Sequence, residues 1–428
     1  MQRVLILLRG PRFWMLFASL VTRGAGFVTS FIIARLAGGG ALGIYSSLVN
    51  TASILVTPFW LVVTNNSTIM AVNANNKSEE VVVRFARANA LMAVILSLMS
   101  FVAFYGLFSI VMSNDELQGV SEWLVLLVAA SVIAAQVFGA VVQGFYNGVG
   151  HFVVAARVFA AISALAVLAA FPVIYYLGLA GAFGLLIFSS IMPLLLLGPG
   201  MLRGRGGVSD CTAKEAFRQV CRRLWVSLPT VGATGVNAAV SWLCTIYFVQ
   251  KAFGMPGVGM VAVAGQWLTL LLMPATSWSG VTIKMLSESA AKRDKFELRR
   301  EVYSLVIKNV TVTFALGAII ALASGLIAKA YGLQYSGIVQ LLCVNVLCAV
   351  VASINNVYER LIFCIDRQPT WFVFSTLSLL VQLGVTIMWI NNGVVVVALG
   401  MLAGGVSLMI FCVASMNRLL SNMERITR

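Results

Sequence analysis

Arg23 and Arg35 stand twelve residues apart, and no other charge lies between Phe13 and Leu36. A guanidinium stays charged at any physiological pH and offers a fork of N–H donors that fits phosphate oxygens. Left alone in hydrocarbon, an arginine costs at least ~2.5 kcal/mol on insertion scales, so it must face a polar cavity or find partners. Arg23 is the eleventh residue counted from Phe13. That is about 15 Å along a helix, near the middle of a slab ~30 Å thick. Two readings follow: contact with an anionic group of a substrate, or a tie to helix-end carbonyls and polar neighbours. Arg35 lies about 18 Å farther on. Its long stem can carry its charge to the outer interface, or it can join the same substrate site.

Other polar side chains interrupt apolar runs. The amides Asn50, Asn237, Gln266, Asn345, Asn355 and Asn356 can line a substrate path or hydrogen-bond one helix to the next. Pro58 and Pro274 each remove a helix hydrogen bond and bend the chain, either as moving gates or as static kinks. Trp242, Trp267 and Trp278 can stack on sugar rings or sit in interfacial belts. No Asp or Glu lies deep in an apolar run; Glu359 is the nearest, at the inner end of one. Coupling cations are usually held on such carboxylates, so a simple cation-coupled pump is disfavoured. The lone histidine, His151, and seven cysteines without a CxxC pair point to no metal centre, no disulfide framework and no cofactor.

The elements that must position these groups follow from composition. Of 428 residues, 60% are hydrophobic and 10% charged, where soluble domains carry about 25% charged; mean hydropathy is +0.97. Twelve apolar segments are expected, at 13–36, 42–63, 88–111, 123–146, 153–176, 178–198, 225–248, 260–281, 308–329, 337–358, 370–390 and 394–416. Continuous runs of this kind are spanning helices. An outer-membrane barrel would instead alternate apolar and polar residues. With the N-terminus inside, 25 of the 29 Lys and Arg fall on inside connections, against Lys251 and Lys329 outside. The positive-inside rule therefore sets both termini on the cytoplasmic side. The +15 net charge lies in these short connections, which excludes a nucleic-acid partner. The basic start, with Arg3, Arg9 and Arg12, leads into a 24-residue span, longer than the apolar core of a cleaved signal. The inside segment from Lys284 to Lys308 has helical spacing and mixed charge, which reads as a solvated or interfacial amphipathic helix.

A shift of 216 maps Gly43 onto Gly259, Pro58 onto Pro274, Asn50 onto Gln266 and Gln143 onto Glu359. Each half holds six spans, so the two halves share one orientation, as in parallel repeats related by an axis along the membrane normal. The fold class is thus all-α, with two six-helix bundles: 1–202, a cytoplasmic linker 203–224, and 225–428.

The stretch FASLVTRGAGFVTSFIIARLAGGGALGIYSSLVN, with its Arg23-Gly24 pair, its Ala34-Arg35-Leu36 exit and the turn from Gly38 to Gly43 before Tyr45, resembles the opening of Wzx-type polysaccharide flippases. These belong to the multidrug/oligosaccharidyl-lipid/polysaccharide exporter superfamily. VVQGFYNGVGHF at 141–152 and KAYGLQYSG at 329–337 resemble later segments of that family. The resemblance implies spans one, two, seven and eight around a central cavity. It also implies a lipid-linked oligosaccharide turned across the bacterial inner membrane, with Arg23 meeting its pyrophosphate. Few other cavity cations are present, so that role rests mostly on Arg23.

The expected function is an undecaprenyl-diphosphate-linked oligosaccharide flippase, a transporter and not an enzyme, serving lipopolysaccharide O-antigen or related surface polysaccharide. Its substrate contacts would come from Arg23, Arg35, Asn50, Asn237 and Gln266, and its gates from Pro58 and Pro274. Membrane lipids, a polysaccharide polymerase and glycosyltransferases are the expected partners. The alternatives are a drug/cation antiporter or a peptidoglycan-precursor flippase of the same superfamily. From a different class, a membrane-embedded polymerase or glycosyltransferase would need a larger aqueous loop and clustered acidic groups.

Overall fold

The computed structural model describes residues 11–75, 79–111, 121–202, 212–277, 282, 285–286, 289, 295–332, 337–365 and 367–421. Every regular element among them is helical. The first six are α1 (Pro11–Leu36), α2 (Gly38–Asn75), α3 (Glu79–Val111), α4 (Glu122–Val149), α5 (Phe152–Leu202) and α6 (Ala213–Val226). Then come α7 (Leu228–Trp242), a π turn (Leu243–Tyr247) and α8 (Phe248–Ser277). The last four are α9 (Lys295–Tyr331), α10 (Ile338–Cys364), α11 (Gln368–Trp389) and α12 (Val395–Ser421).

Nine stretches of the described residues are long and apolar enough to cross a membrane, two of them 50 and 46 residues long. A straight helix of 50 residues would run about 75 Å, more than twice the hydrocarbon thickness. Both long stretches break at a glycine in left-handed backbone: Gly178 (φ 57°) divides α5, and Gly254 (φ 67°) divides α8. A side chain would strain that backbone, so the two glycines set the reversals. With these breaks, and with α1 carrying its arginines, the helices supply the twelve expected spans. The chain is an all-α polytopic membrane protein.

Packing groups the residues up to Ala238 as one unit and those from Ala239 as another, so the division falls inside α7. In the first unit α2 packs on α3 and α4, α3 on α4, and α1 on α5. In the second, α8 packs on α9 and α10, α9 on α10, and α11 on α12. Counted as spans, the contacts of two with three, two with four and three with four recur as eight with nine, eight with ten and nine with ten. Gly43 and Gly259 are both buried, and Pro58 and Pro274 are both half-buried.

Between spans, lipid is as apolar as leucine, so close backbone approach and hydrogen bonds hold the helices together. A Cβ on Gly144 of α4 would lie 2.5 Å from the Thr64 carbonyl oxygen of α2. Cβ atoms on Gly400 and Gly404 of α12 would lie 2.5 Å from Thr386 Oγ1 and 2.9 Å from the Ser378 carbonyl oxygen. Outward faces are apolar and open, as at Leu322 of α9 and Leu168 of α5.

Three local features refine the sequence expectation. Span seven starts at Leu228, not residue 225, because the helix breaks at Ser227 (φ −88°, ψ 1°). The connection before it holds a helix, since α6 fills residues 213–226. Of the segment expected as an amphipathic helix, the part from Lys295 is helical and is the continuous start of α9. Most of its earlier part lies outside the described residues.

Candidate functional site

Buried Ala18, Ala25, Thr29 and Ile33 form one stripe of α1, and α1 packs on α5. Ser163 of α5 and Thr22 share a hydrogen bond at 3.3 Å. At about 100° per residue, Arg23 lies well round from the buried stripe, and Arg35 about 120° round from Arg23. Both are exposed. Around Arg23 the helix is bare: a Cβ on Gly24 or Gly26 would meet no atom within 4 Å. Neither arginine forms a hydrogen bond or ion pair with another described residue. Of the two sequence readings of Arg23, a tie to carbonyls or polar neighbours finds no such partner among the described residues.

Asn50 is exposed on α2. Two turns on, Pro58 interrupts the same helix. Its ring leaves the carbonyl four residues earlier without its amide partner. The Thr57 hydroxyl donates to the Ser53 carbonyl (2.8 Å), and Gln136 Nε2 donates to Ser53 Oγ (2.7 Å), tying the bend to α4. From α7, the Thr234 hydroxyl reaches the Pro58 carbonyl oxygen at 3.5 Å. Asn237, exposed, follows Thr234 by three residues, which keeps it on the same side of α7. The structure thus brings Pro58 against the turn of α7 that carries Asn237. Gln266 and Pro274, both half-buried, belong to α8 in the second unit. The Thr276 hydroxyl lies 3.1 Å from the Leu272 and Met273 carbonyl oxygens, both just before Pro274 in the chain.

Two of the six amides have a structural part. Asn345 Nδ2 donates to the Ala264 carbonyl and Asn355 Nδ2 to the Gly405 carbonyl, each at 2.9 Å and each buried. They are helix-to-helix ties. Trp242 is buried, and Trp278 lies outside the described residues.

Two groups escaped the sequence reading. Gln382 and Thr386 of α11 are buried, and their side chains lie beside the Cys244 thiol. No local pattern announces that cluster, because its members come from distant spans. The other is α6, whose signal was present: Thr212 and Glu215 form a capping box, a recognisable helix start. Among the described residues no group of three or more His, Cys, Asp or Glu could hold a metal ion. Glu359 and Arg360 form an ion pair at 3.8 Å. What the exposed face of α1 offers is an arginine whose donor fork has no partner among the described residues, suited to phosphate-like anions.

No family profile and no curated protein matches the chain. Solved structures do match its fold. One is a multidrug resistance transporter of the MATE family in the MOP superfamily, in an inward-facing conformation. It has TM-score 0.74 at 15% identity, over 97% of this chain and 100% of that one. The lipid II flippase MurJ, in an inward closed conformation, matches with TM-score 0.73 at 16% identity, over 96% of this chain and 89% of that one. A MOP superfamily transporter from Pyrococcus furiosus, described as having a binding pocket of reverse polarity, matches with TM-score 0.68 at 17% identity over 98% of each chain. The chain has the two-bundle, twelve-helix fold of MOP superfamily transporters.

Proposed function

We propose that this protein is a flippase that carries undecaprenyl-diphosphate-linked oligosaccharide across the bacterial inner membrane by alternating access, for surface polysaccharide assembly. Its domains are 1–202, the linker 203–224 and 225–428. One observation carries the reading: Arg23 is exposed in the first spanning helix, beside bare glycines, with no partner among the described residues. A diphosphate meets such a guanidinium through paired charge-assisted hydrogen bonds. One arginine lowers the barrier for an anionic head group in a low-dielectric slab without the tight hold of a cluster. Asn50, Asn237, Gln266 and Arg35 would contact the rest of the head group, with Pro58 and Pro274 bending the helices during exchange. The fold supports a transporter. The Wzx-like opening sequence favours a polysaccharide intermediate over the drugs and the lipid II named for the neighbours.

The test is complementation of a flippase-deficient host, with membrane levels of each variant measured. Arg23→Ala and Arg23→Glu abolish surface glycan, while Arg23→Lys, which keeps charge but loses the fork, retains part of it. If Arg23→Glu inserts stably and still supports normal glycan display, the reading fails.

A further inference from the structure

The helix α6 was found by the structure, and transport as proposed above makes no use of it. Thr212 Oγ1 accepts the Glu215 N–H at 3.2 Å, and the Glu215 carboxylate accepts the Thr212 N–H at 2.9 Å. That reciprocal pair satisfies two otherwise orphaned donors at the helix start. It also holds the Glu215 carboxyl below its ordinary pKa, through the Thr212 backbone N–H first and the Thr212 side chain second. The only acidic side chain of α6 is therefore committed to its own helix. One face is closed: Ala216 and Val220 are buried, and the helix packs on α3 and α2.

The opposite face is open and of one sign. Lys214, Arg218 and Arg222 recur every four residues, Trp225 follows three later, and all four are exposed. At helical spacing they fall within an arc of about 80°. Trp225 is 74% exposed and Val226 73%. An indole so open to water is unfavourable unless something amphipathic covers it. Its place in the chain says what does. Ser227 alone separates α6 from α7, and the apolar spanning run begins at Val231. Trp225 is six residues, at most about 9 Å of helix, before that run. Such a position is the interfacial level where tryptophan settles among headgroups.

We propose that this face of α6 docks on the anionic phospholipid headgroups of the adjoining leaflet. Trp225 and Val226 enter the headgroup boundary, and Lys214, Arg218 and Arg222 take the phosphates. The charge is complementary: each lysine or arginine held at an anionic surface is worth about fivefold in binding. The site is independent of the proposed substrate, so failure of one reading leaves the other intact.

The test isolates Trp225 among nine tryptophans by comparing the full chain with Trp225→Phe. Both are placed in nanodiscs of phosphatidylcholine with a minor share of phosphatidylglycerol. Bromine is carried high on the acyl chains of one lipid or the other. Per mole of lipid, brominated phosphatidylglycerol quenches Trp225 at least about twofold more than brominated phosphatidylcholine. The preference falls to parity in the triple variant Lys214→Gln, Arg218→Gln, Arg222→Gln. Equal quenching by both lipids in the unaltered protein overturns the proposal. So does quenching by neither lipid while aqueous iodide reaches Trp225, the outcome expected if the face meets a soluble partner or water. A preference that survives the triple variant overturns it as well. Should that variant not be recovered folded, Arg218→Gln alone must lower the preference, and the comparison in the unaltered protein needs no variant.

Discussion

Thr234 sets its hydroxyl 3.5 Å from the carbonyl oxygen of Pro58, so the bend in α2 is met by a polar side chain from α7. The same hydroxyl also donates to the Val231 carbonyl at 3.1 Å. One hydroxyl proton shared between two carbonyl oxygens holds each weakly, and a bend supported this way can change its angle without stranding a donor.

If that bend moves during transport, removing it slows transport without harming the fold. Pro58→Ala restores an amide to a helix interior, where proline costs about 3 kcal/mol relative to alanine. Pro58→Ala and Pro274→Ala are expected to raise thermal stability in detergent and to cut surface glycan in complementation several-fold. Normal glycan with both substitutions together would make the bends static.

Asn345→Leu removes the donor to the Ala264 carbonyl and leaves that oxygen alone in an apolar contact. Hydrogen bonds between spanning helices are worth about 0.6–2 kcal/mol. The variant should unfold earlier than the unaltered protein in a thermal-shift assay of the purified chain. Asn50→Leu, at an exposed position, should not. Equal midpoints for the two variants would contradict the structural part given to Asn345.

Gly144→Ala drives a methyl group to 2.5 Å from the Thr64 carbonyl oxygen and 2.6 Å from Ser67 Cβ. Backbone cannot step aside as a flexible side chain does, so α2 and α4 must separate, at a cost of about 1–3 kcal/mol. Gly24→Ala meets nothing within 4 Å and serves as the control. Expression and melting of the two variants, compared side by side, check the α2–α4 contact directly.

The orientation is tested by reporter fusions. Fusions at Asn114, Lys251 and Asn391 should be active outside, and fusions at Ser209 and Lys292 inside. The charge asymmetry behind this expectation is a property of every connection at once, so one loop on the wrong side would undo the span count.

The spans were legible because hydrocarbon demands runs of apolar residues, and all twelve appear near their expected places. Helix lengths were not. α2 runs on to Asn75 through TNNSTIM, a stretch too polar to read as span. Buried Ser67 and Met70 and the close approach of Gly144 hold it helical, and none of these contacts is visible in a run of letters. The site divides in the same way. Arg23 announces itself, since a charge in an apolar run has few explanations. The amides did not sort themselves, because the partner of Asn345 or Asn355 is a backbone carbonyl, and every residue has one.

One helix has a use outside the membrane. α9 is unbroken from Lys295 to Tyr331, 37 residues, or about 55 Å at 1.5 Å per residue. A bilayer's hydrocarbon takes up ~30 Å of that, so roughly the first dozen residues continue span nine as a stiff rod braced on one side, where Leu298, Val302 and Leu305 pack with Val357, Tyr358 and Leu361, and open at its start, where Phe296 is 85% exposed. A soluble helical protein spliced in register onto that end would turn with the span. It would provide a rigid fiducial for single-particle imaging of a membrane protein otherwise hidden in its micelle, and a lever long enough to report by fluorescence how far that span tilts.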